Sequence, residues 1–162
     1  MKISNHIKQA LLVFLLLAWA AHSRAQAITD TKLSTVEIVK EFLDAAQHMN
    51  HAKAAALLDP NVVWEQPGDN RVSGTKRSAD SLFGMIGEML KLSDHTIKLT
   101  EIKAITVNAN RVACLVHWTA QQPAGGILDV DNIDVYTVEN GKIVKVTIFS
   151  ADLEQENKFW GR

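Results

Sequence analysis

The chain has 162 residues, with 17 lysines and arginines against 18 acids, a formal charge of −1 and 47% hydrophobic residues. So even a balance, without a basic stripe, argues against nucleic acid or an anionic lipid surface as partner. One cysteine, Cys114, excludes an internal disulfide, so packing alone must stabilise the fold.

The first 27 residues combine Lys2 and Lys8, an apolar run from Ala10 to Ala21, and Ala25-Gln26-Ala27 before polar sequence begins. That order predicts a secretory signal peptide over 1–27. The run is shorter than the roughly 20 residues a spanning helix needs. Without Lys2, Lys8 and Arg24, 14 basic residues face the same 18 acids, and the protein is expected in the periplasm or outside the cell. Residues 28–33 read as a flexible mature N-terminus, and 34–160 as one domain with one core.

Ser34-Thr-Val-Glu37 fits a capping box, and Val36, Val39, Phe42, Leu43, Ala46 and Met49 follow at helical spacing, predicting a first helix over Thr35 to Met49. A short alanine-rich helix, His51 to Leu58, should stop at Asp59-Pro60. Val62 to Gln66 reads as a strand closed by the turn cluster Pro67 to Asn70. Ser78 opens a third helix bearing Leu82, Phe83, Ile86, Met89 and Leu90. After His95 the period becomes that of strands: Thr96 to Val107, Arg111 to Gln121, Ile127 to Val138 and Lys142 to Phe149, with a last helix over Asp152 to Phe159. Helices first and an antiparallel meander last predict an α+β domain, a curved sheet wrapped around N-terminal helices.

Alternation of side chains along strands then sorts the polar residues. A two-residue turn at Gly125-Gly126 would pair Leu115 with Tyr136, His117 with Asp134, and Thr119 with Asn132, all on one face. A four-residue loop over Pro123 to Gly126 would pair His117 with Asn132 and keep the same faces; a three-residue loop would break the grouping. The Glu139-Asn-Gly141 turn suits the three-residue type, with Val144, Val146 and Ile148 beside Asp134. The opposite face would hold Cys114, Val116, Trp118, Ile133 and Val135 and offer a homodimer surface. The grouped face predicts a mostly apolar pocket for a small hydrophobic or cyclic molecule, with Asp134 and His117 as catalytic candidates and Thr119, Asn132 and Tyr136 lining it. Burial would raise the Asp134 pKa and a facing His117 would lower it.

The element order, with Val-Val-Trp-Glu-Gln-Pro-Gly at 62–68 and Ile-Asp-Val-Tyr-Thr-Val-Glu-Asn-Gly-Lys-Ile at 133–143, resembles the nuclear transport factor 2-like superfamily, and within it the SnoaL-like polyketide cyclase and ketosteroid-isomerase-related group. The resemblance spans about 34–160 and implies a cone-shaped, cystatin-like domain. It also implies an inward face for Trp64 and Gln66, and a general acid/base in Asp134 with His117 near it. Where ketosteroid isomerases place a carboxylate base and a helix-one tyrosine, this chain has Gln66 and Phe42, which argues against that mechanism. Trp64-Glu65 stands where many related sequences have Trp-His; Glu65 should point outward.

His48 and His51 are too few for a metal site, Arg71, Lys76 and Arg77 read as a solvated loop, and neither a dinucleotide fingerprint nor a phosphate loop occurs, so no cofactor is expected. The functional expectation is cofactor-free acid/base catalysis of the isomerase, cyclase or hydrolase type. The alternative is a noncatalytic ligand-binding or envelope assembly module.

Overall fold

The computed structural model describes residues 33–161. The expected signal peptide and nearly all of the expected flexible segment lie outside the described residues. Ser34 caps α1 (Thr35–Gln47) in a complete capping box, its own N–H donating to Glu37 Oε2 at 2.7 Å. Ile38, Val39, Phe42, Leu43 and Ala45 form the buried stripe of this helix. It stops short of Met49 because that residue turns left-handed, with φ +54°. After α2 (His51–Leu57), β1 (Leu58–Gln66) begins four residues before the expected Val62. Leu58 pairs with Ile143, and the register then shifts before Val63. Pro60 falls in that irregular stretch, where its missing N–H costs no ladder bond.

A short edge strand, β2 (Gly74–Lys76), was not expected; it pairs antiparallel with the end of β1. Ser78 caps α3 (Ala79–Leu92). Asp94 and His95 both adopt positive φ, so β3 (Lys98–Asn108) starts two residues after the expected Thr96. β4 (Arg111–Gln121), β5 (Ile127–Glu139) and β6 (Lys142–Ser150) complete the meander, and α4 (Leu153–Trp160) is capped by Asp152. The six strands run in the order β2-β1-β6-β5-β4-β3. β1 joins β6 in parallel, so the sheet is mixed rather than purely antiparallel.

The β4–β5 register differs from both expected pairings. Cys114 lies opposite Asp134, Val116 opposite Asn132, and His117 opposite Asp131. The turn is of the three-residue kind: Gln122 N–H donates to Gly126 O at 2.8 Å, and Gly125 closes it with φ +89°. An odd loop moves one strand's set of side chains to the other face relative to its partner. Val112, Cys114, Val116, Trp118 and Ala120 therefore point inward with Val130, Asn132, Asp134 and Tyr136. His117 and Thr119 point outward, with Asp129, Asp131, Ile133 and Val135.

The next turn is shorter than expected. Glu139 pairs with Lys142, leaving Asn140 and Gly141 at φ +51° and +81°, a two-residue turn with both residues left-handed. Asp134 meets Ile148 and Tyr136 meets Val146, as expected, while a shift after Thr137 buries Ile143 in place of Val144. The core lies between the inner face and the helices, where Leu43, Leu82, Val116, Ile143 and Val146 are fully buried. Each such side chain contributes about 1.5–3 kcal/mol by leaving water.

Candidate functional site

Between the inner face of the sheet and α1, α3 and α4 lies a cavity of about 150 Å³. Its aromatic wall is set by helical and strand spacing: Phe42 on α1 meets Trp64 on β1 at 6.3 Å and Tyr136 on β5 at 5.9 Å between ring centroids, edge-on in the second case. Leu82, Met85, Met89, Leu99 and Val130 extend an apolar lining. Few polar groups enter. Trp64 Nε1 donates to Gln66 Oε1 at 3.1 Å, so two strand positions of equal parity satisfy each other inside the cavity.

Asp134 is the centre of the polar cluster. Its cross-strand neighbours are a thiol, Cys114, and an aliphatic side chain, Ile148, so neither adjacent strand supplies a strong donor. Tyr136, two residues on and on the same face, donates from Oη to Asp134 Oδ2 at 3.1 Å. The other oxygen, Oδ1, is buried without a hydrogen-bond partner. Burial pushes the carboxyl up to about 7; the Tyr136 hydroxyl opposes the shift and the Glu156 charge adds to it. The same burial, reinforced by Asp134, pushes the Cys114 thiol to about 12 and keeps the Tyr136 phenol protonated. Cys114 was expected on the face away from Asp134; it sits beside it and stays a neutral thiol.

A second carboxyl reaches the cavity from α4. Glu156 is 2% exposed, and its burial raises its pKa, partly offset by Ser150, Asn132 and Trp160. Asn132 orients its amide nitrogen toward two acceptors, Asp131 O at 2.8 Å and Glu156 Oε1 at 3.2 Å. The Trp160 indole favours the Glu156 anion, yet its buried N–H completes no hydrogen bond of ordinary geometry. Each such orphan costs about 1–3 kcal/mol. Glu156 and Trp160 were missed from the sequence. The available signal was spacing, since Glu156 precedes Phe159 and Trp160 by three and four residues and so shares their buried stripe.

α4 is fixed to the loop after β1. Asn157 Oδ1 accepts from Asp69 N–H at 2.7 Å and from Asn70 Nδ2 at 2.9 Å. From the other side, Gln122 Nε2 donates to Phe159 O at 2.7 Å. Gly68 lies under Asn157 with φ +96°, where an added Cβ would fall 2.5 Å from Asn157 Oδ1.

Of the eight residues singled out by sequence, Phe42, Trp64, Gln66, Asn132, Asp134 and Tyr136 line the cavity together. His117 and Thr119 do not, because the odd turn puts them on the outer face. There His117 Nδ1 meets Asp131 Oδ1 at 2.7 Å and Nε2 meets Asp129 Oδ1 at 3.0 Å, while Lys103 Nζ also holds Asp131 Oδ1 at 2.7 Å. Glu65 points outward too, bound by Lys145 and Thr147 and held below the usual carboxylate range chiefly by Lys145. The expected dimer face also changes: Val116 and Trp118 turn inward, and Ile133 and Phe149 are the exposed cross-strand pair outside, 47% and 57% accessible. Among the described residues, no group of three or more His, Cys, Asp or Glu side chains could hold a metal ion.

Helices closing one face of a bent mixed sheet over an apolar pocket define the cystatin-like, or nuclear transport factor 2-like, class of domain. The chain belongs to the SnoaL-like domain family, whose model matches residues 39–146. A Xanthomonas campestris protein of unknown function with a cystatin-like fold is 34% identical, at a TM-score of 0.77, covering 80% of this chain and 100% of that one. An uncharacterized Mycobacterium tuberculosis protein is 23% identical over 125 residues, 77% of this chain and 95% of its own. A candidate SnoaL-like polyketide cyclase from Jannaschia superposes at a TM-score of 0.65 over 85% of this chain and 99% of its own. At 14% identity, that last likeness shows a shared fold alone.

Proposed function

We propose that this SnoaL-like domain holds a small, mostly apolar cyclic molecule in its cavity and that Asp134 serves it as general acid/base without a cofactor. The observation that carries the reading is Asp134, a cavity-lining residue whose buried Oδ1 has no hydrogen-bond partner, on a carboxyl that burial brings to about 7. A group poised near the working pH is present in both protonation states, which suits it to taking a proton and returning it. The apolar wall strengthens any charge it faces, and Tyr136 keeps the carboxylate in one orientation. General acid/base help of this kind contributes about 10²- to 10⁴-fold. His117 drops out of the reading, since it faces the other side of the sheet.

Proton exchange at carbon tests the proposal without knowledge of the natural substrate. Cyclohexanone in deuterium oxide is followed by proton NMR with wild type and with Asp134→Asn. Exchange at the carbons beside the carbonyl should fall at least tenfold in the variant. Equal exchange in both would leave carriage of an unaltered ligand, the alternative favoured by one observation: Gln66 already spends its amide oxygen on Trp64 and is not a base. Mass spectrometry of molecules that copurify with the protein separates a carried compound from a converted one. The composition of the first 27 residues supports a periplasmic or secreted setting, and the outward pair Ile133 and Phe149 supports self-association through that face. Sedimentation of Ile133→Lys against wild type tests the second point; identical monomers in both would remove it.

A further inference from the structure

Two residues that line the cavity each hold a buried polar atom with no hydrogen-bond partner of proper geometry among the described residues: Asp134, through Oδ1 on β5, and Trp160, through Nε1 on α4 beside Glu156. Buried polar groups are nearly always partnered, so two orphans around one apolar space point to a guest that partners both. Their chemistries differ. Oδ1 accepts when the carboxyl is ionised and donates when it is protonated, and a hydroxyl satisfies it in either state. An indole N–H only donates, so it requires an acceptor oxygen. Glu156 does not meet that need with proper geometry, and Asn132 already engages its carboxyl.

Asp134 comes from the sheet, whereas Trp160 comes from the helix that closes over it, anchored by Asn157 and by the Gln122 contact to Phe159. Phe42, Trp64 and Tyr136 frame the space with aromatic rings, and an apolar cavity of about 150 Å³ matches a single six-membered ring. We infer that the indole N–H of Trp160 reads a carbonyl oxygen on a ligand whose hydroxyl meets Asp134. The ligand class is then a compact ring compound carrying both a hydroxyl and a carbonyl. The helix α4 is thereby half of the binding site rather than a plug. This inference rests on the proposal that the cavity is a ligand site.

The test titrates the full chain with phenol, acetophenone, and 2-, 3- and 4-hydroxyacetophenone, following the nitrogen-15 indole resonances, with the Trp160 signal assigned through its bonded neighbours in uniformly labelled wild type. At least one hydroxyacetophenone should bind about fivefold or more tighter than phenol, the gain expected for one added hydrogen bond. It should also move the Trp160 indole proton downfield and slow its exchange with solvent, the signs of a hydrogen bond; phenol, whose ring can shift the signal by proximity alone, should not slow that exchange. The gain, read as the ratio of hydroxyacetophenone to phenol affinity within one protein, should vanish in Trp160→Phe, which loses the donor; the smaller ring changes the packing around both ligands and so shifts both affinities together. The wild-type Trp160 signal reports the same contact without any variant, so the test survives a substitution that fails to fold. If phenol binds and no isomer gains, or if the gain persists in Trp160→Phe, the role of Trp160 is overturned while the cavity reading stands. If none of the five binds at millimolar concentration, both fall together.

Discussion

Tyr136 and Asp134, two residues apart on β5, face the same cavity and share one hydrogen bond, Oη to Oδ2 at 3.1 Å. The carboxyl thus has one satisfied oxygen and one bare one, inside a wall that disfavours its charge. A fold that tolerates this arrangement gives up stability at the cavity wall, a trade common at functional sites.

The trade has a pH signature. Asp134 titrates near 3.8 in an unfolded chain and at about 7 in the folded one. Its raised value means that the stability present below about pH 4 is lost as pH rises through 7, by up to roughly 4 kcal/mol. Glu156 is raised as well and acts in the same direction. Urea unfolding of wild type should therefore show declining stability from pH 4 to pH 7. Asp134→Asn should be more stable than wild type at pH 8 by about 1–3 kcal/mol, the amide's own unmet hydrogen bond taking part of the gain. That advantage should shrink to nothing near pH 4. A flat wild-type profile over this range would mean that Asp134 ionises in the ordinary way.

Tyr136→Phe isolates the remaining hydrogen bond. The phenol hydroxyl stabilises the carboxylate form, so its removal should raise the Asp134 carboxyl above 7. Carbon-13 NMR of labelled aspartate carboxyls would follow that titration directly, and stability at pH 8 should fall by about 1 kcal/mol. An unchanged titration would place the cause wholly in burial.

The sequence makes the order of helices and strands readable because the hydrophobic period is strong on both sides of His95, and β4 was bounded to the residue. Where the chain faces itself was harder. Gly125-Gly126 and Pro123 admit turns of two, three or four residues, and one residue of difference sends His117 to the cavity or to the outside. The deciding contacts are long-range: the Gln122 side chain lies over Gly126, where an added Cβ would come within 2.4 Å of its Oε1, and reaches Phe159 on α4. No local pattern contains that contact. The parallel pairing of β1 with β6 and the short β2 were invisible for a similar reason, since tertiary packing makes them. Asp134, Asn132 and Tyr136 were recoverable because they share parity within one strand, which no turn can alter. The pocket itself followed from polar residues at alternate positions between valines.

Asn157 tests whether α4 is a fixed wall. Its side-chain oxygen accepts from both Asp69 N–H and Asn70 Nδ2, and Asn157→Ala leaves two donors to water. The expected loss is about 1–2 kcal/mol, with faster amide hydrogen exchange confined to the loop after β1 and to α4. Gly68→Ala should disturb the same contact by a different route, because a side chain there is strained at φ +96° and runs into Asn157. Unaltered exchange in α4 for both variants would show that the helix is held by its buried residues and its bonds to Gln122 and Asp129 without the Asn157 contact.

His117 separates the two faces of the sheet. It bridges Asp129 and Asp131 outside, with side chains 22%, 67% and 33% accessible, and touches nothing in the cavity. Ion pairs so open to water contribute little, and salt screens them. His117→Ala should therefore cost no more than about 1 kcal/mol, less in high salt, and should leave cyclohexanone exchange within twofold of wild type. Asp134→Asn should reverse that pattern, keeping or raising stability at pH 8 while removing exchange. A His117→Ala variant that lost exchange tenfold with its fold intact would carry the chemistry across the sheet to Asp129, Asp131 and Lys103, and the cavity would no longer be the site.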